Sequence, residues 1–97
     1  MISLTETSIA KLQLLCISSN ASAIAIQCDG ESFRFRLREA LVDDFVVTLS
    51  PDHKLLIDLV SMSIIRGALL DFIINQPERV WVLEIVTATL YKGDSYE

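Results

Sequence analysis

The sequence predicts an α+β domain that is mostly β, with antiparallel or mixed sheets, one N-terminal helix and one short helix. Three observations carry this reading. A helical period ends near residue 20, a two-residue alternation takes over from Ala21, and Gly67 divides the long apolar stretch Leu55 to Ile74. The 97 residues are expected to form a single domain, 1–97, with a loose tail at 92–97.

Ile2 and Leu4 suggest a short strand or arm. Thr5 fits a helix N-cap, because its hydroxyl can accept an otherwise unpaired amide, and Glu6 sits at the positive end of the helix dipole. Leu4 and Ile9 fall at the two positions of a hydrophobic staple. Ile9, Leu12 and Cys16 recur at helical spacing with Leu15 on the flank, which predicts an amphipathic helix over 6–18 closed by Ser18, Ser19 and Asn20.

Beyond the helix, Ile24, Ile26 and Cys28 alternate with Ala23, Ala25 and Gln27. Phe33, Phe35 and Leu37 alternate in the same way with Arg34, Arg36 and Arg38. The Asp29-Gly30 pair between them suits the tight turn of an antiparallel hairpin. A second hairpin is expected from FVVTLS (45–50) and KLLID (54–58), separated by the turn signal Pro51-Asp52-His53. After a break at Gln76-Pro77-Glu78, the alternating segment RVWVLEIVTATLY (79–91) reads as one long final strand.

The apolar stretch 55–74 has the length of a membrane span but carries Asp58, Arg66 and Asp71. Each such charge near a bilayer centre costs roughly 2.5–3.5 kcal/mol, which argues against insertion. One continuous soluble helix would be apolar on nearly every face and would hold Gly67 in its interior at a cost of about 1 kcal/mol. The division that fits is strand 54–58, a helical turn over Val60 to Ile65 that Ser61 helps to cap, Gly67 as a left-handed stop, and strand 68–74.

Thirteen Asp and Glu against eight Lys and Arg give a net charge of −5, which disfavours nucleic acid as a partner. The apolar fraction of 52% and mean hydropathy of +0.46 exceed what a small monomer readily buries. They point to a homo-oligomer or a protein-docking face. The opening MISLTETS has neither the basic start nor the apolar run of a secretory signal, so a cytoplasmic chain with two reduced thiols is expected. No phosphate-binding, dinucleotide, zinc-protease or nucleophile-elbow motif is present, and no enzyme activity or catalytic residue is expected.

Asp58, Ser61, Gly67, Leu70, Asp71 and Phe72 form the pattern D-x-x-S-x-x-x-x-x-G-x-x-L-D-F. It resembles the central segment of the A-type iron–sulfur cluster carriers, the HesB-like or IscA-like proteins. Asp43-Asp44-Phe45-Val46 is similar to the acidic-then-apolar entry to the preceding strand of that family, and LTETSIAKLQLL to its first helix. The resemblance runs from about Leu4 to Ile74 and implies a HesB-like fold, a dimer and a role in iron–sulfur cluster assembly. Family members typically bind iron or a cluster through a Cys-x-Gly loop and a C-terminal Cys-Gly-Cys. Cys28-Asp29-Gly30 matches the first, and nothing in this chain matches the second. Because soft thiolates hold such clusters, the ligand set is degenerate.

Cys28 is thus the one candidate ligand for iron or an Fe–S cluster, across a dimer, that the resemblance carries over. The other reading of Cys28 is a small hydrophobe on the Ile24–Ile26 face, with no cofactor and a metal-free interaction or regulatory role. Cys16, on the apolar helix face, is expected in the core. Arg34, Arg36 and Arg38 share one strand face, either as a docking site for an acidic partner or as a solvated face pairing with Glu31, Asp43 or Asp44. His53 is expected at a turn tip, and Asp58 and Asp71 in turn and loop hydrogen bonds rather than acid–base work.

Overall fold

The computed structural model describes residues 2–29, 32–74, 79–84 and 90–93. The chain begins with strand β1 (Ser3–Leu4) and helix α1 (Glu6–Ser18). Thr5 is the N-cap of α1, its hydroxyl accepting the Ser8 amide at 3.2 Å, and Leu4 and Ile9 both pack against the core. The helix ends in a Schellman turn. Asn20 takes a left-handed φ of 54°, the Ala21 amide reaches the Cys16 carbonyl, and the Asn20 amide reaches that of Ile17.

Strands β2 (Ala23–Cys28) and β3 (Phe33–Leu37) form the expected antiparallel hairpin, with Cys28 opposite Phe33; the predicted turn residues Gly30 and Glu31 lie outside the described residues. Strands β4 (Phe45–Ser50) and β5 (His53–Ile57) form the second hairpin. Helix α2 (Leu59–Ile65) follows, and its N-cap is Asp58, whose carboxylate accepts the Ser61 amide at 2.6 Å. Ser61 therefore does not cap the turn as expected, because its hydroxyl is engaged elsewhere. Gly67 adopts φ 79° and turns the chain into β6 (Leu69–Ile74), the stop that the sequence predicts.

The segment predicted as one final strand is instead two. Strand β7 (Arg79–Glu84) pairs antiparallel with both β6 and β8 (Leu90–Gly93). Lys92 and Gly93, expected in a loose tail, belong to β8. The break at 76–78, residues 85–89 and residues 94–97 lie outside the described residues.

The strands form two mixed four-stranded sheets, ordered β1-β6-β7-β8 and β3-β2-β5-β4, with parallel pairings β1·β6 and β2·β5. One core joins them. Leu12 and Cys16 from α1, Ile24 and Ile26 from β2, Leu55 and Ile57 from β5, Ile65 from α2 and Leu70 from β6 are all fully buried in it. Their positions follow the two-residue and helical periods read from the sequence.

Because β3 and β4 are the two end strands of their sheet, the connection 38–44 crosses its outer face. There Glu39 and Ala40 approach Lys54 and Leu56, and Leu56 is fully buried although it points away from the core. No helix among the described residues is long and apolar enough to cross a membrane.

Candidate functional site

Cys28 ends β2, where the alternation of the strand turns it to the same side as Ile24 and Ile26. It is 2% exposed and belongs to the core cluster together with Phe33 and Met62. Its backbone is held by α2. The Ser61 hydroxyl accepts the Cys28 amide at 2.8 Å and lies 3.5 Å from the Cys28 carbonyl. Ser61 is itself 1% exposed, so this contact satisfies two buried polar groups at once. Asp58 fixes Ser61 in turn by accepting its amide.

Past Cys28 the hairpin end is braced by Asp29. Its carboxylate accepts the Ser32 amide at 3.0 Å, and its own amide reaches the Ser32 carbonyl at 3.2 Å. An open cleft of about 460 Å³ lies against this end of the sheet, bordered by Gln27, Cys28, Asp29, Arg34, Asp58 and Val60. Cys28 therefore borders the cleft while remaining 2% exposed and part of the core cluster.

Cys16 is fully buried on α1, as expected, and desolvation pushes its thiol pKa up. Neither cysteine is in a disulfide. Among the described residues no three His, Cys, Asp or Glu side chains come together as a metal site. A protein-bound cluster takes about four thiolate ligands. This chain has two cysteines, both buried, and one chain alone does not fit that donor set.

The three arginines do not act as one set. Arg34 and Arg36 are exposed on the outer face of β3. Arg38 makes a two-pronged ion pair with Asp44, at 2.6 and 2.8 Å, and the Asp44 side chain is almost fully covered. The hydrogen bonds from Arg38 hold the Asp44 carboxyl below its ordinary range, helped by the Leu41 amide. Of the acidic residues considered from sequence, Asp44 is the one that Arg38 takes.

Asp71 is remote from the cleft and accepts a hydrogen bond from the Thr5 hydroxyl. His53 begins β5 rather than standing at the turn tip, with its Nδ1 3.0 Å from the Ser50 hydroxyl. The residue that sequence reasoning misplaced is Ser61. Its position in the D-x-x-S pattern signals a cap, whereas its anchoring bond to Cys28 joins segments with no local spacing between them.

No protein-family model and no curated protein matches the sequence. Solved structures do match the fold. Escherichia coli SufA, involved in biosynthesis of iron–sulfur clusters, superposes with a TM-score of 0.74 at 17% identity, over 87% of this chain and 84% of that one. IscA with a [2Fe-2S] cluster superposes with a TM-score of 0.66 at 20% identity, over 89% of this chain and 86% of that one. The expected HesB-like fold, α+β and mostly β, is the observed one.

Proposed function

We propose that this chain serves iron–sulfur cluster assembly as a non-enzymatic, cytoplasmic HesB-like protein that meets protein partners, and that it does not hold iron within a single chain. The fold shared with SufA and IscA supports the setting. The observation that carries the rest is the burial of Cys28: a cysteine 2% exposed within the core cluster is a core residue before it is a ligand. Partner contact then falls to the surface. The exposed residues Arg34 and Arg36 offer a basic patch for an acidic protein surface on a chain whose net charge of −5 repels nucleic acid.

A second reading is supported by the placement of Cys28 beside the cleft. Iron or a cluster, as cargo, would be bound weakly by Cys28 and its copy across a dimer, after a local opening of the 28–33 hairpin end. Anaerobic reconstitution with ferrous iron and sulfide, followed by visible absorption of wild type and Cys28→Ser, separates the two. The first reading expects no Cys28-dependent chromophore in folded protein. A chromophore lost in Cys28→Ser establishes the second. Pull-downs with an Arg34→Glu/Arg36→Glu variant test the surface; Arg38 is left intact because its charge braces the 41–44 turn.

A further inference from the structure

Strand β5 runs out before β2 does. The parallel register sets Ile24 beside Leu55 and Ile26 beside Ile57, so a longer β5 would set Leu59 beside Cys28. The chain has by then turned into α2, and the Asp58 carbonyl is committed to the Met62 amide at 2.9 Å. The amide and carbonyl of a strand residue face the same neighbour. For Cys28 that neighbour is a side chain, the Ser61 hydroxyl, which accepts the amide at 2.8 Å and lies 3.5 Å from the carbonyl. On its other edge Cys28 stands opposite Phe33 of β3.

Ser61 is itself set by the start of α2. Its amide donates to the Asp58 carboxylate at 2.6 Å, and it lies in the first turn of a helix of seven residues. That turn is held from one side. Ser61 and Met62 are buried, whereas Leu59 is 57% and Val60 68% exposed, and Val60 borders the cleft together with Cys28. A helix this short has little stability of its own, so its first turn rests on the Asp58 cap and on the buried side. Segments held in this way open more readily than the whole fold unfolds.

We propose that Ser61 is the positioning residue of Cys28. Its hydroxyl, with the Asp58 cap behind it, forms a catch between α2 and the end of β2, and release of that catch, rather than unfolding of the chain, opens Cys28 to the cleft. With the catch closed, a residue 2% exposed does not meet a reagent or a cargo in the cleft. The inference deepens the reading in which Cys28 meets iron or a cluster after a local opening, and rests on that reading for its use. The catch itself involves no metal.

Slow alkylation of the full chain by iodoacetamide, read at Cys28 by peptide mass, tracks the population of the open form. At low urea its rate should depend on urea far less than global unfolding does, because release of the catch exposes little surface. Ser61→Ala removes an acceptor from a buried amide and should speed Cys28 labelling by about tenfold or more, with the shallow urea dependence kept. Asp58→Ala, which removes the cap on Ser61, should act in the same direction and serves if Ser61→Ala fails to fold. Asp58→Asn keeps an oxygen for the Ser61 amide and should restore slow labelling. Cys28 labelling that follows the urea dependence of global unfolding overturns the proposal, as does a rate unchanged in both alanine variants. Anaerobic reconstitution of Ser61→Ala separates the catch from the iron reading. Fast, urea-insensitive labelling with no Cys28-dependent chromophore keeps the catch and removes iron; a chromophore with labelling that follows global unfolding removes the catch.

Discussion

The Thr5 hydroxyl donates to the Asp71 carboxylate at 2.7 Å while accepting the Ser8 amide, so a single side chain caps α1 and ties it to β6. Thr5→Val keeps the shape and removes both bonds. A lost cap costs about 1 kcal/mol and a bond to a carboxylate about 1.5–3 kcal/mol, so a loss of roughly 2–4 kcal/mol is expected in urea unfolding. Thr5→Ser, which retains the hydroxyl, should recover most of it.

Ser61→Ala leaves the Cys28 amide buried with its hydroxyl acceptor removed. The expected loss is about 1–3 kcal/mol, accompanied by faster hydrogen exchange at the Cys28 amide. A neutral effect on both measurements would show that the Ser61 hydroxyl does not anchor the end of β2.

The Arg38–Asp44 pair predicts a pH dependence of definite sign. Asp44 has a depressed pKa in the folded chain, so its contribution is present above the unfolded-state value of about 3.9 and is lost as pH falls through the lower folded value. Asp44→Asn should be less stable than wild type at neutral pH, and the difference should shrink as acid is added through that window. A gap that stays constant down to strongly acidic pH would remove the pair as its cause.

Gly67 is required by its left-handed φ of 79°. Gly67→Ala should cost about 1–2 kcal/mol in thermal or denaturant unfolding, since a Cβ clashes with the neighbouring carbonyl in that region.

Both thiols should react slowly with a disulfide reagent in native protein and rapidly in denaturant, because Cys16 is fully buried and Cys28 2% exposed. Fast native-state labelling of Cys28 would show that the 28–33 hairpin end opens readily, which is the condition the iron-binding reading needs.

What the sequence made legible is what depends on near neighbours. Thr5, the α1 period, the helix end at Ser18 to Asn20 and the left-handed Gly67 are all local choices, and each stands where its neighbours place it. The two-residue alternation likewise located β2 and β3, while turn residues and Gly67 bounded β4 to β6. Residues 79–91 misled because the sequence between β7 and β8 is apolar and β-branched and contains neither glycine nor proline to divide them. The candidate site was less readable still. Asp58, Ser61 and Asp71 stand out as a spaced pattern, but Ser61 finds its partner 33 residues away and Asp71 66 away, and such tertiary bonds leave no local signature.

The two parallel pairings shape how the fold assembles in time. β1 has its partner in β6 and β2 in β5, so each sheet is joined by closing a long stretch of chain and neither junction can be made by a local turn. During synthesis the hairpins β2·β3 and β4·β5 can form as they emerge, while Ser3 and Leu4 must wait until Leu69 and Leu70 have left the ribosome. Until then the first strand and the core face of α1 have no complete sheet to cover them. Strand β1 is thus among the last elements to be locked, and refolding should be limited by that closure rather than by either hairpin.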